Sequence, residues 1–155
     1  MVYLGLGSNL GDRKAYIKQA LALIAGRAGT VCLVSDCFES PSWGYVSPNN
    51  YINVAVGIET VLEPEQLLAA TQEIERTMGR QAKTVNSEYH DRVIDIDILL
   101  FGDLIMSTAT LIIPHPQLHH RVFVLHPLNE IAPFLIHPIL KKTIAEIFYV
   151  IRGKN

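Results

Sequence analysis

The sequence lacks the features that direct a protein to nucleic acids or membranes. It has 13 Lys and Arg against 15 Asp and Glu, so its net charge is −2 and no basic excess is present to neutralise the phosphates of a nucleic acid. No apolar run is long enough for a transmembrane helix, and the N-terminus lacks the charged region and cleavage site of a signal peptide. We therefore expect a cytoplasmic protein with neither a nucleic acid nor a membrane as its partner.

Cysteine is also scarce, which argues against a disulfide framework. The only two, Cys32 and Cys37, lie in one predicted strand. Residues an odd number of positions apart in a strand face opposite sides, so these two thiols are poorly placed to bond each other. We expect buried free thiols, as in a reducing cytoplasm.

The composition is otherwise that of one compact domain. Apolar residues make up 49% of the chain and charged residues 18%. A chain of this length can bury about 70% of the surface that its unfolded form exposes. No repeat, low-complexity segment or linker interrupts it, so residues 1–155 are expected to form a single, monomeric domain.

The stretch Arg92–Phe101 combines a strand pattern with two carboxylates. It is rich in β-branched and aliphatic residues, and Gly102 follows it. Because strand side chains alternate between faces, Asp95 and Asp97 should lie on the same side, with Cα atoms about 6.6 Å apart. The expected faces are Ile94, Ile96, Ile98 and Leu100 on one side, and Val93, Asp95, Asp97 and Leu99 on the other.

The paired aspartates admit two interpretations. Carboxylates about 5 Å apart repel by ~3 kcal/mol at an effective dielectric of 20, and a divalent cation such as Mg²⁺ would remove that repulsion. The alternative is that the pair lies on the solvated face of an edge strand. The apolar flanks indicate a central strand and therefore favour the metal site.

The remaining pattern predicts a βαββαβ order followed by a helical tail. Strands are expected over 2–7, 30–38, 51–60 and 92–101, and helices over 12–28, 63–78 and 143–151. This order is typical of a ferredoxin-like α+β sandwich, in which helices cover one face of a four-stranded antiparallel sheet. The C-terminal helical segment is appended to it.

Polar residues inside these elements are candidates for a site. Alternation puts Tyr51, Asn53 and Ala55 on one strand face, and Asn53 there is either a satisfied core group or a ligand contact, with the spacing favouring the core. Gln72 and Glu75 share one side of a helix. The glycines of the 5–11 segment are only a weak signal for a phosphate loop.

Four blocks of sequence carry a family resemblance when read in order: Gly5–Arg13, Tyr51–Val56, Arg92–Gly102 and Pro114–Pro133. They resemble the 6-hydroxymethyl-7,8-dihydropterin pyrophosphokinases of the folate pathway, and the likeness covers nearly the whole chain. The resemblance implies transfer of the β,γ-diphosphate of ATP to the pterin hydroxymethyl group, with release of AMP. It leaves no room for the dihydroneopterin aldolase or dihydropteroate synthase domain that some relatives carry.

The resemblance also implies residue roles. Asp95 and Asp97 would hold two Mg²⁺ ions that bridge the ATP phosphates, while Tyr51 and Phe123 would stack on the pterin. For Asn53 it favours a ligand contact over the core role. The remaining candidates would meet phosphate (Arg80, Arg92, His115 and Arg121), the nucleotide (Gln72, Glu75, Lys83 and Ile98) or the pterin (Ser40, Pro41 and Trp43).

The chain departs from the family in the polar loop Gln81–Asp91. Many members have Trp-x-Pro-Arg where this chain has Tyr89-His90-Asp91-Arg92, so only the arginine agrees. An arginine that members often carry early in the loop is absent, and Lys83 is the only cation nearby. Lysine offers a point charge without the planar fork. The length of the loop predicts a lid, mobile without ligands and ordered when both substrates are bound.

Two other functions compete with this interpretation. One is a non-catalytic ferredoxin-like module that binds a small regulator or RNA, and the RNA version needs a basic, aromatic sheet face. The other is a different Mg²⁺-dependent phosphoryl-transfer enzyme on the same fold, such as a nucleotidyl cyclase. Formation of AMP that requires a hydroxymethylpterin separates all three.

Overall fold

The structure is a computed structural model that describes residues 1–41, 49–79 and 93–153. It is an α+β fold built on an antiparallel sheet. Its elements are β1 (Val2–Ser8), α1 (Arg13–Arg27), β2 (Thr30–Val34), β3 (Phe38–Ser40), β4 (Tyr51–Glu59), α2 (Pro64–Thr77), β5 (Asp95–Phe101), β6 (Met106–Ser107), β7 (Ile112–Ile113), a 3-10 turn (Leu118–His120), α3 (Val122–Ile131) and α4 (Ile144–Arg152).

The main sheet has the strand order β2–β4–β1–β5, with every pair antiparallel. β3 also pairs with β4, where Phe38 lies opposite Asn53. β1 is therefore a central strand between β4 and β5, and the three strands place Asn53, Gly7 and Asp95 side by side in register. This register brings residues from distant parts of the sequence to one end of the sheet.

Helices α1 and α2 cover one face of the sheet, as their apolar spacing predicts. Each helix buries an apolar stripe, including Ile17 and Ile24 in α1 and Leu67 and Ile74 in α2, against alternate strand residues such as Leu4. The Asp12 side chain starts α1 by accepting from the N–H of Ala15 at 3.2 Å. These helices form the larger of two apolar clusters.

Helices α3 and α4 pack on the opposite face, so the expectation of helices on one face holds only for α1 and α2. Buried Leu125 and Leu128 of α3, with Ile147 of α4, meet Tyr3 and Ala55 of the sheet. α4 begins at a reciprocal cap, since Thr143 Oγ1 accepts from the N–H of Glu146 and Glu146 Oε1 accepts from the N–H of Thr143. The second cluster covers only part of this face.

A bulge in β5 corrects one part of the predicted alternation. The β1–β5 register shifts between Tyr3 and Leu4, which pair with Leu100 and Ile98, so Leu99 is an extra residue in β5. Leu99 and Leu100 consequently both join the cluster under α3 and α4, and Leu100 is not on the face of Ile98. Val93, which precedes the strand, packs towards α1 and α2 instead of sharing the aspartate face.

The predicted strand 30–38 is interrupted, and its cysteines are exposed. β2 ends at Val34, where Ser35 turns the chain: its N–H donates to the carbonyl of Ala55, and its Oγ accepts from the N–H of Ala55. Cys32 and Cys37 are both free and exposed, so the expected burial is wrong. The reason is that β2 is an edge strand and Cys37 lies in the break before β3.

Among the described residues, no helix combines the length and the apolar character needed to cross a membrane.

Candidate active site

A cavity of about 700 Å³, counted with the solvent at its mouth, opens on the face of the sheet that α3 partly covers. Its floor is the β1 backbone at Gly5 and Gly7. A Cβ at Gly7 would lie 3.3 Å from Tyr51 Cδ1, and one at Gly5 would lie 3.4 Å from Leu99 Cδ1. The two glycines therefore keep open the space between the side chains of β4 and β5.

One wall of the cavity carries the two aspartates. Asp97 lies opposite Gly5 and Asp95 opposite Gly7 in the β1–β5 ladder, and both side chains line the cavity. Both residues are half-buried. The prediction that they share a face is confirmed, because the bulge in β5 comes after them. The prediction of a central strand is wrong, since β5 is the last strand of the sheet and owes its apolar residues to the helices that cover both of its faces.

The opposite wall comes from β4 and β3. Asn53 is buried, and its Nδ2 group donates to the carbonyl of Phe38 at 3.0 Å and to Ser40 Oγ at 2.7 Å. The amide hydrogens of Asn53 are thus used within the protein, while its Oδ1 lies 3.5 Å from where a Gly7 Cβ would be. Asn53 presents an acceptor to the cavity. Ser40 is buried at the end of β3, and Pro41 and Tyr51 complete this wall.

The start of α3 closes the cavity from above the sheet. Arg121 is the N-cap residue of α3, and its carbonyl accepts from the N–H groups of Val124 and Leu125. Its guanidinium carbon lies 5.7 Å from the centroid of the Phe123 ring, and both side chains line the cavity. Leu125 is fully buried, so the packing of α3 on the sheet places Arg121 and Phe123 over the glycine floor.

His115 lies beside β5 at Leu99, because its N–H donates to the carbonyl of Leu99 at 3.0 Å. Its Nδ1 accepts from the N–H of Gln117 at 3.1 Å. An imidazole that accepts at Nδ1 carries its proton at Nε2 when neutral. A neutral His115 therefore carries its N–H at Nε2, and an imidazole N–H is a type of group that can donate to a phosphate oxygen.

Three histidines without an assigned role pack next to the turn that precedes Arg121. The ring of His119 lies 3.8 Å from that of His120 and 6.2 Å from that of His137, between centroids. Burial lowers the pKa of both His119 and His137, with a smaller contribution from the neighbouring histidine in each case. His137 is buried, and its Nδ1 accepts from the N–H groups of Ile139 and Leu140, which makes it a core histidine with its Nδ1 satisfied.

Three residues assigned to the nucleotide do not line this cavity. Gln72 is exposed on α2, whereas Glu75 is buried with 4% of its surface accessible, so the two do not share an environment. The Ile98 side chain lies in the core under α1 and α2, which leaves only its backbone for a ligand contact. Helical spacing placed Gln72 and Glu75 on one side, but the stripe that packs on the sheet includes only Glu75.

Four assigned residues, Trp43, Arg80, Lys83 and Arg92, lie outside the described residues, as does the predicted lid Gln81–Asp91.

Sequence reasoning missed the floor of the cavity. Gly5 and Gly7 alternate within a strand, and that spacing of two signals one strand face without side chains. The glycines were considered only as a weak signal for a phosphate loop, and their alternation within the strand was not used. Val124 and Pro127 of α3 also line the cavity, and they were not found because no helix was predicted at residues 122–131.

The donor set at the site fits a hard cation that is shared with substrate. Among residues 1–41, 49–79 and 93–153, no three His, Cys, Asp or Glu side chains cluster closely enough to hold a metal by themselves. Two carboxylates, with water and phosphate oxygens as further ligands, are the coordination that Mg²⁺ commonly takes in phosphoryl-transfer sites. Asp95 and Asp97 are therefore the residues that would hold it.

Comparison with known proteins decides the family. Residues 3–133 match the model of the 7,8-dihydro-6-hydroxymethylpterin-pyrophosphokinase family. The chain belongs to this family. It is 43% identical over 139 residues to the 2-amino-4-hydroxy-6-hydroxymethyldihydropteridine pyrophosphokinase of Porphyromonas gingivalis, an alignment that covers 89% of this chain and 94% of that one. The enzyme of the same name from Aquifex aeolicus is 39% identical over 145 residues, covering 94% and 88% of the two chains.

Solved structures agree with the fold of this pyrophosphokinase. The wild-type HPPK-DHPS of Plasmodium falciparum aligns with a TM-score of 0.79 at 19% identity. The alignment covers 99% of this chain but 45% of that longer chain. At this identity the likeness concerns the fold alone, and the assignment of the family depends on the sequence matches.

Proposed function

We propose that this enzyme transfers the terminal diphosphate of ATP to the hydroxymethyl group of 6-hydroxymethyl-7,8-dihydropterin, for folate biosynthesis, and that the cavity described above holds the pterin. The observation that carries the assignment is the convergence in one cavity of two aspartates with Asn53, Tyr51 and Phe123. The two aspartates suit a metal-bound polyphosphate. Asn53, Tyr51 and Phe123 suit a flat, hydrogen-bonding heterocycle. Family membership supplies the reaction.

Asn53 provides the polar recognition of the pterin. Because its Nδ2 hydrogens already bind Phe38 and Ser40, its Oδ1 accepts from the ligand. A pterin carries N–H groups along its pyrimidine edge, which are the matching donors. A polar group built to pair with a ligand donor discriminates strongly against analogues that lack the donor.

Tyr51 and Phe123 provide the stacking surfaces. Both are half-buried and line the cavity from β4 and from α3 respectively. Offset stacking suits a flat bicyclic ring between aromatic side chains. Arg121, whose guanidinium lies 5.7 Å from the Phe123 ring, adds positive charge on the same side of the cavity.

Asp95 and Asp97 would hold Mg²⁺, and we propose two ions. Bound Mg²⁺ neutralises the charge of the ATP phosphates. In the reaction, the pterin hydroxyl oxygen forms a bond to the β-phosphorus and loses its proton to solvent. The bond between that phosphorus and the bridging oxygen of AMP breaks, and AMP leaves with that oxygen. Arg121 and His115 supply donors for phosphoryl oxygens, and no residue is assigned as a general base.

The nucleotide assignments rest on the family resemblance together with the outer edge of β5. The backbone of Ile98 faces the same edge as that of Ile96, since alternate strand residues direct their N–H and C=O groups to the same side. We propose this backbone edge and the exposed Gln72 as nucleotide contacts. Arg80, Lys83 and Arg92 keep their proposed phosphate and nucleotide roles from the resemblance.

We also propose a fold type, an oligomeric state and a cellular location for the chain. The antiparallel order β2–β4–β1–β5 supports a ferredoxin-like sandwich, on which α3 and α4 form an appended layer. We propose that residues 1–155 act as a single pyrophosphokinase domain, as a monomer, in the cytoplasm. Sedimentation of the purified chain tests the monomer.

The decisive experiment is an assay for AMP with ATP, hydroxymethyldihydropterin and Mg²⁺, omitting each in turn. AMP should form only when all three are present. Asp95→Asn and Asp97→Asn should each lower turnover by more than about a hundredfold. Each change removes a negative charge that would hold the metal, and the metal stabilises the transition state. Asp103→Asn is the matched control, because Asp103 is exposed in the turn after β5 and does not line the cavity.

Other outcomes identify the rival functions. AMP production without a pterin requirement, or release of ADP or pyrophosphate as the product, would point to a different phosphoryl-transfer enzyme. Binding of the pterin without any turnover of ATP would point to a non-catalytic module. Near-normal turnover of Asp97→Asn at saturating Mg²⁺ would refute the metal assignment alone.

A further inference from the structure

Glu75 makes a contact that its expected role does not explain. It is a carboxylate on α2 with only 4% of its surface accessible. Its Oε2 accepts from the backbone N–H of Ile96 at 2.8 Å. Ile96 is the residue between Asp95 and Asp97, so the side chain binds the backbone of the strand that carries both aspartates.

The contact lies at the outer edge of β5, where the backbone N–H groups have no neighbouring strand, in the described part of the chain, to accept from them. β5 is the last strand in the order β2–β4–β1–β5, and its inner edge is paired with β1. The N–H of Ile96 is instead directed to α2, where the Glu75 carboxylate receives it. A buried N–H without an acceptor is unfavourable, and a charged acceptor makes a shorter and stronger hydrogen bond than a neutral one.

A carboxylate is an unusual choice for this position if its only purpose is packing. The neighbours of Glu75 on the inner stripe of α2 are Thr71 and Ile74, and both are buried. An apolar side chain would join α2 to the core without the desolvation of a charge. The Glu75 carboxylate instead gives the Ile96 N–H a charged acceptor, which an apolar side chain could not supply.

We propose that Glu75 is a positioning residue for the metal site: it holds the β5 backbone between Asp95 and Asp97 so that both carboxylates point into the cavity. This inference rests on the proposed function of the two aspartates. It replaces the direct nucleotide contact that the family resemblance implied for Glu75. Preorganised ligands bind a cation more tightly, because no strand has to be ordered when the cation arrives.

The test measures metal affinity apart from turnover. Mn²⁺ is titrated, by electron paramagnetic resonance, into the wild type and the variants in the presence of a non-hydrolysable ATP analogue. Glu75→Met keeps the side-chain length but loses the acceptor, and it should weaken Mn²⁺ binding about tenfold. Glu75→Gln keeps an acceptor oxygen, and it should stay within about threefold of the wild type. Binding of the pterin should change much less in both.

Glu73→Met is the matched control, because Glu73 is exposed on the same helix. It should leave Mn²⁺ affinity unchanged. A second readout is the amide proton of Ile96 in a ¹⁵N-labelled sample, which should resonate at low field in the wild type and in Glu75→Gln and move upfield in Glu75→Met. This signal reports the hydrogen bond itself and needs neither metal nor activity.

Three results would overturn the proposal. In the first, Glu75→Met melts at a lower temperature but binds Mn²⁺ as the wild type does, so Glu75 only joins α2 to the sheet. In the second, Glu75→Gln folds normally but loses more than tenfold in affinity for the metal-free ATP analogue, so Glu75 contacts the nucleotide. The third result applies if Glu75→Met does not fold. In that case, a Glu75→Gln variant whose Mn²⁺ affinity is more than tenfold below that of the wild type would overturn the proposal.

Failure of the proposed function would be seen separately. A wild type that makes no AMP, or an Asp97→Asn variant that binds Mn²⁺ normally, refutes the site and not the hydrogen bond of Glu75.

Discussion

Replacing Gly7 by alanine tests the idea that a strand without side chains forms the floor of the pterin site. The new Cβ would lie 3.3 Å from Tyr51 Cδ1 and 3.5 Å from Asn53 Oδ1. The distance to Tyr51 is slightly short, and the distance to Asn53 is an ordinary van der Waals contact. Small side-chain shifts can therefore accommodate the methyl group. Gly7 lies in a regular strand without a positive φ, so alanine can adopt its backbone conformation.

The folded protein should therefore tolerate the change. Alanine in a strand interior is favoured over glycine by about 0.5–1 kcal/mol through the unfolded state, which offsets the tight contact with Tyr51. We expect the free energy of unfolding to stay within about 1 kcal/mol of the wild type.

Ligand binding should respond in the opposite way. A methyl group on the floor occupies space between Tyr51 and Asn53 that the pterin would use. Overfilling a packed site typically costs about 1–3 kcal/mol, which corresponds to roughly 5-fold to 150-fold weaker binding. Calorimetric titration of the pterin, with an ATP analogue present, measures this loss, and urea unfolding of the same samples measures stability.

Gly26→Ala is the control for this experiment. Gly26 is on the exposed side of α1, and no atom lies within 4 Å of its added Cβ. It should raise stability by about 1 kcal/mol and leave pterin affinity unchanged. If Gly7→Ala folds normally and binds the pterin as tightly as the wild type, the floor does not contact the ligand and the placement of the pterin is wrong.

Three further predictions concern the stacking pair, the histidine cluster and the thiols. Tyr51→Ala and Phe123→Ala should each weaken pterin binding by about 1–3 kcal/mol and change ATP affinity much less, which calorimetry would measure. His137→Asn should flatten the loss of stability on acidification, followed by urea unfolding between about pH 7.5 and about pH 5.5. Ellman's reagent should titrate both Cys32 and Cys37 rapidly in the native protein, because both are exposed.

The direction of the pH effect follows from the buried histidines. Burial lowers the pKa of His119 and His137 in the folded protein, below the value of about 6.5 that they have when exposed. The unfolded chain therefore binds more protons as the pH falls through that value, and the folded state loses stability progressively until its own histidines are protonated. Above about pH 7 both states are neutral at these residues, and the effect vanishes.

Each of these predictions has an outcome that would refute it. Equal losses of ATP and pterin affinity in the aromatic variants would mean that Tyr51 and Phe123 only support the core. An unchanged pH dependence of stability in His137→Asn would show that other residues cause the loss of stability in acid. Slow thiol reaction that requires denaturant would contradict the exposure of the β2 edge.

Some features of the molecule are determined by local sequence alone. Asp95 and Asp97 share a face because side chains in a strand alternate, and the same rule puts Tyr51 and Asn53 together. The buried stripe of α1, including Ile24, follows equally from the helical repeat. These patterns need only neighbours a few residues away, so the sequence reveals them without knowledge of the fold.

Other features were decided by strand pairing and packing between distant segments. The bulge at Leu99 arises in the pairing of β5 with β1, so the alternation within β5 gave no sign that Leu100 changes face. Cys32 is exposed because β2 lies at the edge of the sheet, although its own segment has the composition of a buried strand. Edge position is a property of the whole sheet.

The site itself belongs to this second class. Asn53, Gly7 and Asp95 are far apart in sequence and meet because three antiparallel strands align in register, while α3 brings Phe123 across them. Glu75 could be placed only when α2 was seen to pack against β5, where the N–H of Ile96 needs an acceptor. The sequence by itself determined which chemical groups each segment presents and on which face. The tertiary structure decided which groups meet, because register and packing depend on contacts between segments that no single segment encodes.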